Sequence, residues 1–102
     1  MMNRILVACA FAMLALPAMG QDATVSIKNF MFEPMNVEVS AGSTVTWQNN
    51  DEEPHTVTSE EGLFRSGGID GGAKFSFRFE KPGVYKYVCS IHPQMVGTVT
   101  VK

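Results

Sequence analysis

Residues 74–102 read KFSFRFEKPGVYKYVCSIHPQMVGTVTVK. At the start of this stretch Phe75, Phe77 and Phe79 alternate with Ser76, Arg78 and Glu80. Period two in aromatic or β-branched residues marks a half-buried strand, because successive side chains point to opposite faces. Pro82-Gly83 interrupts the run, after which VYKYVC (84–89) and VGTVTVK (96–102) resume strand composition.

The same alternation continues towards the N-terminus. In STVTWQN (43–49), Val45 and Trp47 alternate with Thr44, Thr46 and Gln48. NVEVS (36–40) and ATVSIKNF (23–30) follow the same rule through Val37, Val39, Val25 and Ile27. Turn signals separate these runs at Glu33-Pro34, Ala41-Gly42-Ser43, Asn49-Asn50-Asp51, Gly67-Gly68, Gly71-Gly72 and Pro82-Gly83. No stretch has a sustained helical period. Several short antiparallel strands between regular turns predict an all-β fold, a small Greek-key β-sandwich or barrel. Trp47 is expected in its core, a role as electron relay being the alternative. Tyr85, two residues after Pro82-Gly83, is expected to tie a corner through its hydroxyl. The glycine-rich run from Gly67 to Gly72 lacks the strand–helix setting of a phosphate-binding loop.

Residues 1–20, MMNRILVACAFAMLALPAMG, combine Arg4, an apolar run from Ile5 to Leu16, Pro17 and the small-x-small end Ala18-Met19-Gly20. That order predicts a secretory signal peptide cleaved after Gly20. The apolar run is shorter than the roughly 20 residues a membrane span requires. Cys9 lies too early in the run for a lipidation box. The expected product is one domain, residues 21–102, exported to the periplasm, with no transmembrane segment. Without Arg4, seven basic residues face ten acidic ones, a net charge of −3. An acidic chain of this kind excludes nucleic acid as a partner, since that binding needs a basic face. Asp51, Glu52, Glu53, Glu60 and Glu61 are expected to form a solvated rim, the alternative being a docking face for a basic partner.

Of the two cysteines, Cys9 leaves with the signal, so Cys89 is expected as a lone thiol in an oxidising compartment. A buried inert cysteine is one explanation, and a metal is the other. Cys89, His92 and Met95 follow one another at three-residue steps, on what reads as one tight loop stiffened by Pro93. His55, 34 residues upstream in NNDEEPHTVTS, is the remaining histidine. Greek-key sandwiches gather loops at one end, which allows the two segments to meet. Thiolate favours Cu(I), zinc and iron–sulfur clusters, imidazole suits copper, zinc, iron and nickel, and thioether favours copper; two histidines, a cysteine and a long axial methionine describe a blue-copper site. A zinc His₂Cys site with bound water is the competing chemistry.

The chain resembles the cupredoxins, and among them most the amicyanins, with plastocyanins and pseudoazurins also similar. The matching features are Pro54-His55, the run from Pro82 to Cys89, and the Cys89, His92, Met95 spacing. The resemblance implies one copper ion held by His55, Cys89 and His92, with Met95 as weak axial ligand. It implies an electron port at the edge of His92, and docking of redox partner proteins near His92 and Pro93. An apolar patch would surround that edge, helped by Met31, Phe32 or Met35. A methylamine dehydrogenase is the partner the amicyanin likeness suggests. Thr56 stands where amicyanins have an asparagine, and its hydroxyl is expected to bond towards Ser90.

The expected function is a monomeric, exported carrier of single electrons through a type 1 copper site, and not an enzyme. The alternative is a periplasmic copper-binding or copper-delivery protein without an electron-transfer partner. Both histidines are used by the one site, so none is left for a second, open copper centre.

Overall fold

A computed structural model describes residues 21–102; the expected signal segment, residues 1–20, lies outside the described residues. Eight strands follow in order: β1 (Ala23–Lys28), β2 (Met31–Glu33), β3 (Asn36–Val39), β4 (Ser43–Asn49), β5 (Thr58–Ser59), β6 (Lys74–Phe79), β7 (Gly83–Cys89) and β8 (His92–Val101). They form two four-stranded sheets, ordered β2-β1-β4-β6 and β3-β8-β7-β5. The fold is the expected all-β sandwich.

Not all of the pairing is antiparallel. β1 runs parallel to β4, with Val25 opposite Trp47, and β3 runs parallel to β8, with Val37 opposite Val99. Alternation reports which face a residue occupies and carries no information about the direction of the neighbouring strand. The short strand β2 is not expected from the pattern either; at three residues it is below the length at which period two is visible, whereas β5 falls in the β-type run that opens at His55.

The alternating residues face inward as the pattern requires. Val25, Ile27, Val45, Trp47, Val57, Tyr87 and Val99 are wholly buried between the sheets. The Tyr85 hydroxyl donates to the Lys81 carbonyl at 2.6 Å, which is the expected corner. Trp47 lies edge-on to Tyr87, ring centroids 5.3 Å apart, and fills the sandwich centre. Gly97 is paired across the ladder with Tyr87, whose ring lies over it.

The ligand-bearing segment is tighter than a loop. β7 ends at Cys89 and β8 begins at His92, with Cys89 opposite His92 and only Ser90-Ile91 between them. A register shift between Val88 and Cys89 bends the end of the hairpin. Cys89 and His92 are therefore held by strand ladder, a stiffer frame than the expected loop, while Pro93, Gln94 and Met95 fall within the register shift.

Candidate metal centre

Three elements meet at the end of the sandwich where β4 and β7 finish and β8 starts. The first is the β7–β8 hairpin. The second is the segment from Asn49 to Thr56. The wholly buried Asn49 organises it: its side-chain amide donates to the Glu53 and Ile69 carbonyls, both at 2.8 Å, and its Oδ1 accepts from the Asp51 amide at 2.9 Å. His55 then pairs with Ile69 through two backbone hydrogen bonds, of 3.1 and 2.7 Å. Gly71 allows this packing, because a Cβ there would stand 2.8 Å from the Asp51 carbonyl oxygen. The third element is the turn between β1 and β2.

His55, Cys89 and His92 each offer one ligand atom, all within 4.8 Å of one another. The Cys89 Sγ lies 3.8 Å from His55 Nδ1 and 3.5 Å from His92 Nδ1. His55 and Cys89 are wholly buried, whereas His92 is half-buried. Met95, three residues along β8 from His92, is sealed in the same core cluster as Cys89, at 2% exposure. Pro93 is exposed beside His92.

The surrounding groups orient these donors. Asp51 Oδ2 lies 2.9 Å from His55 Nε2. The carboxylate accepts, so Nε2 carries the hydrogen and Nδ1 presents its lone pair towards Cys89. Partial burial works to raise the Asp51 pKa, but hydrogen bonds from the Phe30 and Asn29 amides and from His55 outweigh it and hold the carboxyl below its ordinary value. The Thr56 amide donates to Cys89 Sγ at 3.3 Å. The Thr56 hydroxyl accepts from the Ser90 amide at 2.7 Å and lies 2.9 Å from the Ser90 hydroxyl, which is the bridge expected of it.

Two expectations need correcting. Asp51 does not belong to the solvated rim: Glu52, Glu53, Glu60 and Glu61 are exposed, but the Asp51 side chain is only 7% exposed and grips His55. Phe32 is not a surface residue of the site; it is core, at 2% exposure and 4.8 Å edge-on to Tyr87. The aromatic ring at the site is that of Phe30, 5.0 Å from the His55 ring and 4.8 Å from the His92 ring. Met31 and Met35 are about half exposed, at 47% and 50%.

The donors suit a soft or borderline ion. A cysteine sulfur and two imidazoles lie within 4.8 Å of one another, and Met95, buried in the same core cluster as Cys89, offers a thioether, which favours copper over zinc. Replacing Asp51 by Ala would free the His55 ring and release the β1–β2 turn together. Metal affinity should fall by about 10–100-fold, the usual cost of losing a group that orients a ligand. Competition with a chelator of known affinity measures it, and affinity equal to wild type would refute the role given to Asp51.

A cupredoxin-like domain model matches residues 3–101. The chain is 35% identical over 83 residues to amicyanin-alpha of Methylorubrum extorquens, covering 76% of this chain and 70% of that protein. It is 35% identical over 85 residues to plastocyanin of Scenedesmus fuscus, covering 71% and 87%. Among solved structures, a purple cupredoxin from Nitrosopumilus maritimus is 39% identical with a TM-score of 0.72, over 78% of this chain and 99% of that one. A Cu(I) form of an amicyanin mutant is 29% identical with a TM-score of 0.76, over 79% and 82%. With the sandwich, the converging donors and these likenesses in agreement, the chain belongs to the cupredoxin-like family.

Proposed function

We propose that this protein is an exported carrier of single electrons, with a type 1 copper ion held by His55, Cys89 and His92 and, more weakly, by Met95. The observation that carries the reading is the convergence of the Cys89 sulfur and two Nδ1 atoms within 4.8 Å at the end of a rigid sandwich. Copper supplies reversible one-electron chemistry between Cu(II) and Cu(I). The residues supply a fixed frame. His55 is held by Ile69 and Asp51, Cys89 by the ladder and the Thr56 amide, and the hairpin by Thr56 and Ser90. Donors that cannot move far keep rearrangement small when the charge of the site changes.

His92 is the half-buried donor, so its outer edge is the natural port for electrons. A redox partner protein would dock over His92 and Pro93, with the exposed Glu52 and Glu53 of the His55 segment steering a basic face. The chain has two histidines, both in this cluster, which leaves none for a second, open metal centre of the kind a copper oxidase needs. Residues 1–20 act in this reading as the signal peptide, and residues 21–102 as the periplasmic domain, working as a monomer.

The test is addition of one equivalent of Cu(II) to the metal-free protein. An intense visible band should appear, bleach with a mild reductant and return with an oxidant. A colourless copper complex would overturn the reading. A coloured complex that surrenders copper readily to a chelator, with very slow electron self-exchange, would assign copper delivery instead.

A further inference from the structure

The hairpin joining β1 to β2 turns on two residues, Asn29 and Phe30, with φ of 55° and 59°. Two-residue hairpin turns with both φ positive suit Asn at the first position and Gly at the second. A phenylalanine is out of place there, since a bulky side chain disfavours left-handed backbone. Nothing in the turn itself calls for an aromatic ring, and glycine would take the same backbone without strain.

What holds the strained turn is part of the metal centre. The Asp51 carboxylate accepts from the Asn29 amide at 2.7 Å and from the Phe30 amide at 2.9 Å. The same carboxylate takes the His55 Nε2 hydrogen. One side chain thus fixes both the turn and a candidate ligand. The Phe30 ring so placed stands edge-on to both imidazoles, at interplanar angles of 89° and 85°, while 39% of the residue remains exposed. His92 needs such a neighbour. Among the described residues its ring makes no side-chain hydrogen bond beyond the approach to Cys89, so packing must set its orientation.

We propose that Phe30 is a positioning residue, a cover held over the metal centre that keeps water from the paired imidazoles and holds the His92 ring in its ligating orientation. The proposal rests on the copper reading for its effect on potential, but not for its effect on metal release. Water admitted to the site favours the more highly charged oxidised form, so losing the cover lowers the reduction potential. It also opens a path by which the His92 side of the site lets the metal go.

Phe30→Gly separates this role from a structural one, because it removes the ring while relieving the turn. Three quantities are read: melting of the metal-free protein, release of Zn(II) to a coloured chelator, and the reduction potential of the copper protein. The expected result is melting unchanged or higher and zinc release about tenfold faster. The potential should fall by about 59 mV for a tenfold change in the one-electron equilibrium. Phe30→Leu, which keeps apolar bulk, should release zinc at an intermediate rate. Wild-type zinc release and potential in Phe30→Gly would overturn the proposal. So would a large drop in its melting temperature, which would make the ring a structural prop. Zinc carries no electron, so the two readings fail separately. Colourless copper complexes with accelerated zinc release would sink the carrier and keep the cover. Coloured complexes with unchanged release and potential would do the reverse.

Discussion

Cys89→Ser should abolish the intense visible band of the copper-loaded protein while leaving the sandwich folded. The band requires a thiolate donor, and Cys89 is the one cysteine among the described residues. Its Sγ stands 3.5 and 3.8 Å from the two Nδ1 atoms and accepts the Thr56 amide at 3.3 Å. A serine oxygen is harder, less readily ionised and bonded to Cβ at shorter range. It suits Cu(I) poorly and contributes no low-energy transition of the sulfur kind. The Thr56 amide can still donate to that oxygen, so the buried donor is not orphaned and the cost to the fold is about 1 kcal/mol. The comparison is made by absorption spectra and thermal melting of the two proteins side by side. A variant that kept the band would mean that the sulfur of residue 89 is not a ligand.

Gly97→Ala gives the largest loss of stability expected from a single methyl group. An added Cβ would lie 2.3 Å from both Cζ and the hydroxyl oxygen of Tyr87, and 2.8 Å from its Cε1. The Tyr87 ring is held in place by its core neighbours. It is wholly buried and packs edge-on against Phe32 at 4.8 Å and Trp47 at 5.3 Å. Among the described residues its hydroxyl finds no hydrogen-bond partner of good geometry, and burial pushes its pKa up to about 12. Overfilling of such a site costs about 2–3 kcal/mol. For a domain of this size each kcal/mol lowers Tm by about 4–8 °C, so a fall of roughly 10–20 °C is expected. Pairing the substitution with Tyr87→Leu, which removes the clashing atoms, should recover part of the loss. Melting of Gly97→Ala at the wild-type temperature would show that the ring can be displaced cheaply and would refute the packing argument.

The longer strands between Val25 and Val101 and the four candidate donors could be read along the chain, because alternation and unusual donor chemistry are local signals. The Tyr85 corner and the Thr56–Ser90 bridge were also legible: one follows a proline-glycine turn, and the other joins polar residues beside two donors that had to meet. Asp51 and Phe30 were not. Asp51 stood in a polar run and read as solvated rim. Phe30 ended an alternating stretch and read as strand, although Asn29, a residue that tolerates left-handed backbone, was a hint of the turn. Their roles arise from hydrogen bonds across 21 and 22 residues of sequence, between Asp51 and the amides of Phe30 and Asn29. No local pattern encodes such a contact.

By itself, the sequence determined the class of fold, the inward face of each longer strand and the kinds of donor available, because side-chain period and ligand softness are properties of short segments and single residues. Only the tertiary structure decided that β1 and β3 run parallel to their partners, that the Asp51 carboxylate bonds the His55 ring, and that the Phe30 ring stands edge-on to both imidazoles. Those outcomes depend on how two sheets close over one core, and closure brings together groups whose separation along the chain says nothing of their distance in space.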